Sequence, residues 1–167
     1  MLRNKIAMKA TNIVIPDEVH TLCEFRQYDL PGFATINTAL REFEPKLAFS
    51  WHLSVLLQCI DLIASRLPSP DEQKILYGFE DKLDSLIKAN GNALFLARVT
   101  HDAHRELIWR VHDPGAANSV IQSIVRAKDH PRAFDYRIEE DRGWQKASWY
   151  LNSQSACVPS AISDKGV

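Results

Sequence analysis

The chain has 167 residues, of which 46% are hydrophobic and 25% charged. This composition is typical of one globular domain and excludes a wholly disordered chain. The net charge is −1 and no basic run could track a phosphate backbone, which argues against nucleic acid as a partner. Because no segment approaches 18 apolar residues and no signal-peptide pattern opens the chain, we expect a cytoplasmic protein with no membrane partner.

The cysteines Cys23, Cys59 and Cys157 show no C-x-x-C spacing. This pattern indicates neither a disulfide framework nor a zinc ribbon, and it favours thiols in a reducing compartment. No phosphate-binding or nucleotide-binding motif is present, since the glycine-rich signatures for these ligands are missing. We therefore expect no cofactor and no metal.

Extended segments dominate the first third of the chain. The runs TLCEFRQYD and GFATINT flank Leu30-Pro31, and their β-branched and aromatic content predicts an N-terminal hairpin. In AFSWHLSVLL, large apolar residues alternate with Ser50, His52 and Ser54. This period of two predicts a strand with one buried face.

A helix follows, because Ile75, Leu76, Phe79, Leu83, Leu86 and Ile87 fall at helical spacings. Ser69 as N-cap and Pro70 at the first position mark its start, and Asn90-Gly91 marks its end. Two more strands, ALFLARV and RELIWRVH, precede a second helix in which Asp113 is the expected N-cap. The last predicted strand is RAFDYRIEE.

From Ala48 the order is β-α-β-β-α-β, which predicts an α+β fold of the ferredoxin-like sandwich type with an added N-terminal β-hairpin. Right-handed crossovers favour the spatial order fourth, first, third, second for its strands. We predict three regions: an N-terminal extension at 1–20, a single α+β domain at 21–151, and a flexible C-terminal tail at 152–167.

Three histidines in VTHDAHRELIWRVHDP suggest a site. If Asp102-Ala103 is the centre of a two-residue turn, His101 and His104 lie opposite each other, about 5 Å apart. His112 would then lie about 26 Å along the strand from His104, too far to share a metal ion. Since zinc sites use three or four protein ligands, we interpret this segment as a polar turn.

The hairpin register predicts which residues face the helices. We expect Leu94 to pair with Val111 and Leu96 with Trp109, facing the helices with Trp51 and Leu53. The opposite face would carry Ala93, Phe95, Ala97, Ile108, Arg110, Ser50, His52, Ser54, Asp135 and Arg137. A face that mixes large apolar and charged side chains in this way is poorly suited to full exposure to water. We therefore expect something to pack on it: the N-terminal hairpin, a second subunit or a ligand.

The segment EEDRGWQKASWYL joins an acidic cluster to a tryptophan and further aromatic residues. It resembles the closing motif of the bacterial domain-of-unknown-function family numbered 695. The helix LPSPDEQKILYGFEDKLDSLI and the segment ARVTHDAHRELIWRV are similar to other parts of that family, over roughly residues 21–151. The chain departs from it at Ala103-His104, where the family's turn tends to carry glycine.

The same segment has a weaker similarity to the regulator of ribonuclease E activity, type B. That resemblance implies action by binding a protein, with Asp141 and Trp144 in the matching positions.

Two hypotheses follow. The first is a non-catalytic protein-interaction or regulatory module, with a homodimer or a protein partner. The alternative is a small-molecule-binding protein or an enzyme with a pocket over the sheet near His52 and Arg110; the sequence leans against catalysis. The candidate binding residues are Ser50, His52, Ser54, Arg110, Asp141 and Trp144.

Overall fold

A computed structural model describes residues 13–152 and the backbone of Cys157–Pro159. Its strands are β1 (His20–Gln27), β2 (Leu30–Asn37), β3 (Trp51–Gln58), β4 (Ala93–His101), β5 (His104–Val111), β6 (Phe134–Glu140) and β7 (Cys157–Pro159). Its α-helices are α1 (Pro70–Ile87), α2 (Pro114–Ala127) and α3 (Gln145–Leu151), and short 3-10 helices occupy Thr38–Glu42, Lys46–Phe49 and Ala89–Gly91.

The strands form one antiparallel sheet in the order β6-β3-β5-β4-β2-β1-β7. Both α1 and α2 pack on one face of this sheet, where residues such as Leu83, Ile121 and Trp109 build the larger core. The α+β class is confirmed, and β6, β3, β5 and β4 stand in the order predicted from the sequence. The N-terminal hairpin continues the sheet, since β2 pairs with β4.

The two long helices begin where their capping residues predict. The Ser69 hydroxyl accepts a hydrogen bond from the Glu72 N–H at 3.1 Å, and Pro70 opens α1. The Asp113 carboxylate accepts from the Gly115 N–H at 2.9 Å, and Pro114 opens α2. These caps satisfy backbone donors that the first helical turn leaves unpaired.

Both hairpins close through two-residue turns with positive φ at both central residues, the pattern of a type I′ turn. Asp102 and Ala103 have φ values of 44° and 62°, as expected for the centre of the predicted β4–β5 turn. In the first hairpin, Tyr28 and Asp29 form the turn, with φ values of 52° and 61°. The predicted connection at Leu30-Pro31 is therefore wrong by two residues, because this pair already belongs to β2.

The predicted register of β4 is also wrong at its start. Leu94 pairs with Arg110 and Phe95 with Trp109, and the register shifts between Phe95 and Ala97. This β-bulge adds one residue to β4, so the side chains before it change faces. Phe95 therefore joins the core under the helices.

The opposite face of the sheet, which we call the second face, is partly covered by local chain segments. A second core forms there from α3, the 3-10 segments between β2 and β3, and the sheet. Its principal members are Leu40, Phe43, Phe49, Leu94, Leu96, Ile108, Trp144, Ala147 and Leu151. The hairpin β1–β2 is excluded as the cover, since it lies within the sheet.

Parts of the predicted chain organisation lie outside the described residues: 1–12 of the N-terminal extension and most of the tail at 152–167. Within that tail, the backbone of Cys157–Pro159 pairs with β1.

The cysteines differ from the prediction that all of them are thiols. Cys59 is a free thiol, whereas Cys23 takes part in a disulfide. Over the described part of the chain, no helix combines the length and apolar character needed to cross a bilayer.

Gly32 on β2 provides a test of the hairpin packing. A Cβ at this position would lie 2.2 Å from Cζ of its cross-strand partner Phe25, so we expect Gly32→Ala to reduce the free energy of unfolding by about 1–3 kcal/mol. Gly78 in α1 has no atom within 4 Å of such a Cβ, and Gly78→Ala should stabilise by about 0.5–1 kcal/mol. Urea denaturation measures both.

The clash also predicts coupling between Gly32 and Phe25. In a Phe25→Ala background, Gly32→Ala should cost much less than in the wild type, because the ring that it meets is gone. Equal costs in the two backgrounds would contradict this account of the packing.

Candidate functional site: a buried anchor and an open groove

Four of the six predicted site residues meet in one buried cluster. We call His52, Arg110, Asp141 and Trp144 the Arg110 cluster. The fully buried guanidinium of Arg110 donates to Asp141 Oδ2 at 2.9 Å, to the Asp141 carbonyl at 2.6 Å and to His52 Nδ1 at 3.2 Å. It also stacks on the Trp144 ring, 4.8 Å from the centroid. These contacts compensate the cost of burying a charge.

The Arg110 cluster fixes the start of α3. Asp141 accepts hydrogen bonds from the backbone N–H groups of Gln145 and Lys146, both at 3.0 Å. The Trp144 indole N–H donates to the carbonyls of Lys46 at 2.8 Å and Phe49 at 3.0 Å. Trp144 has a φ of 55°, which is unusual for a bulky residue and is held here by these contacts. The cluster thus ties α3 to the sheet.

His52 is held neutral within this cluster. Burial, and then the adjacent Arg110 charge, lower the pKa of His52 from 6.5 to about 4. Its Nδ1 accepts the Arg110 N–H, which a protonated imidazole could not do. These contacts give His52 a structural part in holding Arg110.

The side chains of the two predicted serines make their hydrogen bonds outside the cluster, although the Ser50 carbonyl accepts from the Asp141 N–H at 2.7 Å. The Ser50 hydroxyl donates to the Leu47 carbonyl at 2.6 Å, a contact local to the turn before β3. The Ser54 hydroxyl donates to Glu106 Oε1 at 2.6 Å. Through Glu106, Ser54 contacts a different feature of the second face.

That feature is a half-open groove of about 720 Å³ beside α3, over the part of the second face nearest the hairpin turns. We call it the groove. It is lined by Cys23, Glu24, Phe25, Arg26, Gln27, Tyr28, Ala34, Ile36, Leu56, Val99, His101, Asp102, His104, Glu106, Trp149 and Tyr150. None of these is in the Arg110 cluster, so the pocket over the sheet lies away from His52 and Arg110.

The wall of the groove on the α3 side consists of two aromatic residues. The rings of Trp149 and Tyr150 meet edge to face with centroids 4.8 Å apart, and 71% of Trp149 is exposed. Burial, and then the negative charge of Glu106, raise the pKa of Tyr150 well above its usual value. The phenol, which is protonated at neutral pH in any tyrosine, therefore resists deprotonation further into the alkaline range.

The histidines of the β4–β5 turn line the opposite end of the groove. His101 and His104 are direct partners across the hairpin, as predicted. His101 Nε2 lies 2.9 Å from the Gln27 carbonyl and His104 Nδ1 lies 2.8 Å from the Asp102 carbonyl. No group of three or more potential metal ligands occurs among the residues that the structure describes.

Glu106 was not among the site residues predicted from the sequence, and neither were Trp149 and Tyr150. Glu106 could have been found, since it alternates with Ile108 and Arg110 and therefore shares their face of β5. Trp149 and Tyr150 carry no such signal, because their position depends on how α3 crosses the sheet.

The buried pair at the centre of the Arg110 cluster predicts a large effect of Asp141→Ala. This substitution leaves the Arg110 charge unpaired and removes the acceptor at the start of α3, so the free energy of unfolding should fall by about 3–5 kcal/mol. Glu140→Ala breaks a neighbouring ion pair with Arg142, whose side chains are 51% and 75% exposed, and should cost at most about 1 kcal/mol. Comparable losses in denaturant titrations of the two variants would argue against the anchor.

The lowered pKa of His52 predicts a pH dependence of stability. The unfolded chain binds a proton at His52 near pH 6.5, whereas the folded chain resists it until about pH 4. The stability that the fold has with neutral His52 is therefore fully present above pH 6.5, and part of it is lost as the pH falls from 6.5 towards 4. Across this window, the free energy of unfolding of wild type should fall more steeply than that of His52→Gln; parallel curves would contradict the prediction.

Comparison with known proteins supplies a family without an activity. No curated protein and no solved structure matches this chain significantly. A family model described as a family of unknown function, DUF695, matches residues 28–152. The match runs from the first hairpin turn to the end of α3, and so includes the Arg110 cluster and most of the groove. Since it spans well over half of the 167 residues, the chain belongs to the DUF695 family.

Proposed function

We propose that this protein is a non-catalytic binding module and that its groove holds a segment of a partner protein. The observation that carries this proposal is the exposed Trp149 on the wall of an aromatic-lined, half-open groove. Tryptophan and tyrosine are enriched at the energetic centres of protein interfaces, because they bury large areas with few rotatable bonds. A soluble domain otherwise rarely leaves such groups together on its surface.

Rigidity of the wall supports the same proposal. The Arg110 cluster and the Arg41 side chain, which donates to the Leu151 carbonyl at 2.7 Å, hold the two ends of α3. A partner would therefore pay little to order this part of the groove. The two histidines at the end of the groove, His101 and His104, each make a hydrogen bond to a backbone carbonyl of the domain, which favours a structural part for them over a catalytic one.

A second candidate function is binding of a small molecule in the same groove. The volume of about 720 Å³ favours it, since small-molecule sites commonly enclose roughly 300–1,000 Å³.

Homodimerisation and a cytoplasmic location stay predictions from the sequence. Sedimentation equilibrium of the full chain tests the first of these directly.

Selection of short random peptides displayed on phage tests the proposed function. Peptides enriched on the full chain should lose about 10- to 30-fold in affinity on Trp149→Ala, the range expected for a tryptophan hot spot. Ile60→Ala is the matched control, because Ile60 is 66% exposed and lies outside the groove lining. Fluorescence polarisation of the labelled peptides measures each affinity.

Two results would overturn the proposal: no peptide is enriched, or the enriched peptides bind wild type and Trp149→Ala equally well. A fragment screen by NMR on the same samples addresses the second candidate. Fragments that shift Trp149 and Tyr150 signals in the absence of any peptide binder would favour the small molecule.

A further inference from the structure

We infer that the partner segment carries a lysine or arginine side chain that enters the groove and pairs with Glu106. This inference rests on the proposed function and adds the chemistry that the groove selects. It begins from the placement of one carboxylate on the floor of the groove and from the groups that surround it.

One carboxylate oxygen of Glu106 is available to accept a hydrogen bond from a ligand. Its Oε1 accepts from Ser54 at 2.6 Å, whereas its Oε2 accepts no hydrogen bond from the residues described. Nearby acids are already matched with cations: Asp102 pairs with Arg66, and Asp141 pairs with Arg110. Glu106 has no ion pair within 13–152, so its charge is not neutralised by the domain itself.

The neighbours of Glu106 strengthen its attraction for a cation. Its register partners are Leu56 on β3 and Val99 on β4, and both line the groove. Apolar flanks lower the local dielectric, especially once a bound segment displaces water. Glu106 is half-buried, so a segment that displaces its remaining water would leave a carboxylate without a counterion unless that segment supplies a cationic side chain.

The aromatic groups suit the same ligand. Trp149, Tyr150 and Phe25 line the groove together with Glu106, and aromatic faces attract ammonium and guanidinium groups. The Tyr150 oxygen makes no hydrogen bond within the described residues and can accept one from the ligand. A cation that pairs with Glu106 would therefore lie in a groove that also offers a phenol oxygen and aromatic ring faces.

The other charged residues of the lining leave this preference in place. Arg26 is exposed at the rim, where it donates to the Asp29 carbonyl at 2.8 Å. Glu24 is exposed at the same rim and offsets its charge. The floor of the groove therefore keeps the negative character of Glu106.

Three matched phage libraries test the inference, each of random peptides with one fixed central residue: lysine, glutamate or glutamine. On wild type, the lysine library should yield binders at least ten-fold tighter than the other two. On Glu106→Gln this preference should vanish, since the amide keeps the shape and can still accept from Ser54 but lacks the charge. Glu44→Gln, which removes an exposed acid outside the groove lining, should preserve it.

Near-UV circular dichroism establishes that Glu106→Gln keeps its tertiary packing. If the lysine preference survives Glu106→Gln, or if the libraries yield equal binders that all depend on Trp149, the inference is wrong and the proposed function stands. If no library yields a binder, the proposed function itself fails and the inference falls with it.

Discussion

A buried guanidinium organises the second face of this protein. Arg110 projects from the middle of the sheet into a fully buried position, where the desolvation cost is large unless every nearby acceptor is well placed. Asp141 supplies both a carboxylate and a carbonyl, and Trp144 supplies a ring face. Because both residues precede α3 directly, satisfying Arg110 also decides where that helix begins.

The groove is a consequence of this arrangement. The segment α3 has only two turns and would not be stable by itself, yet it is held at its start by Asp141 and at its end by Arg41. It covers the half of the second face that contains Leu94 and Ile108, and leaves uncovered the half nearer the hairpin turns. Trp149 and Tyr150 stand at the boundary between the two halves, where one helix forms both the lid of a core and the wall of a site.

Local signals explain why much of the fold could be predicted from the sequence. Ser69 and Asp113 start helices through contacts with residues two or three positions away, and the alternation around His52 requires only a pleated strand. The wrong predictions concern features that depend on contacts between residues distant in the sequence. The bulge between Phe95 and Ala97 leaves no clear pattern, because a run of apolar residues fits either register.

The residues of the candidate site were even harder to predict from the sequence than the fold. His52 and Arg110 were predicted from their place on a mixed sheet face, and Asp141 and Trp144 from the resemblance of the segment that follows β6. The structure brings these four together. Their contacts, however, are with one another and with nearby backbone groups of the domain. Polar side chains engaged in this way have little left to offer a ligand, and the buried Arg110 Nε, which has no partner among the described residues, is out of a ligand's reach. Glu106 and Tyr150, in contrast, retain unused acceptors beside an exposed ring. In this chain, the residues that hold α3 in place are easier to find in the sequence than the residues that line the groove.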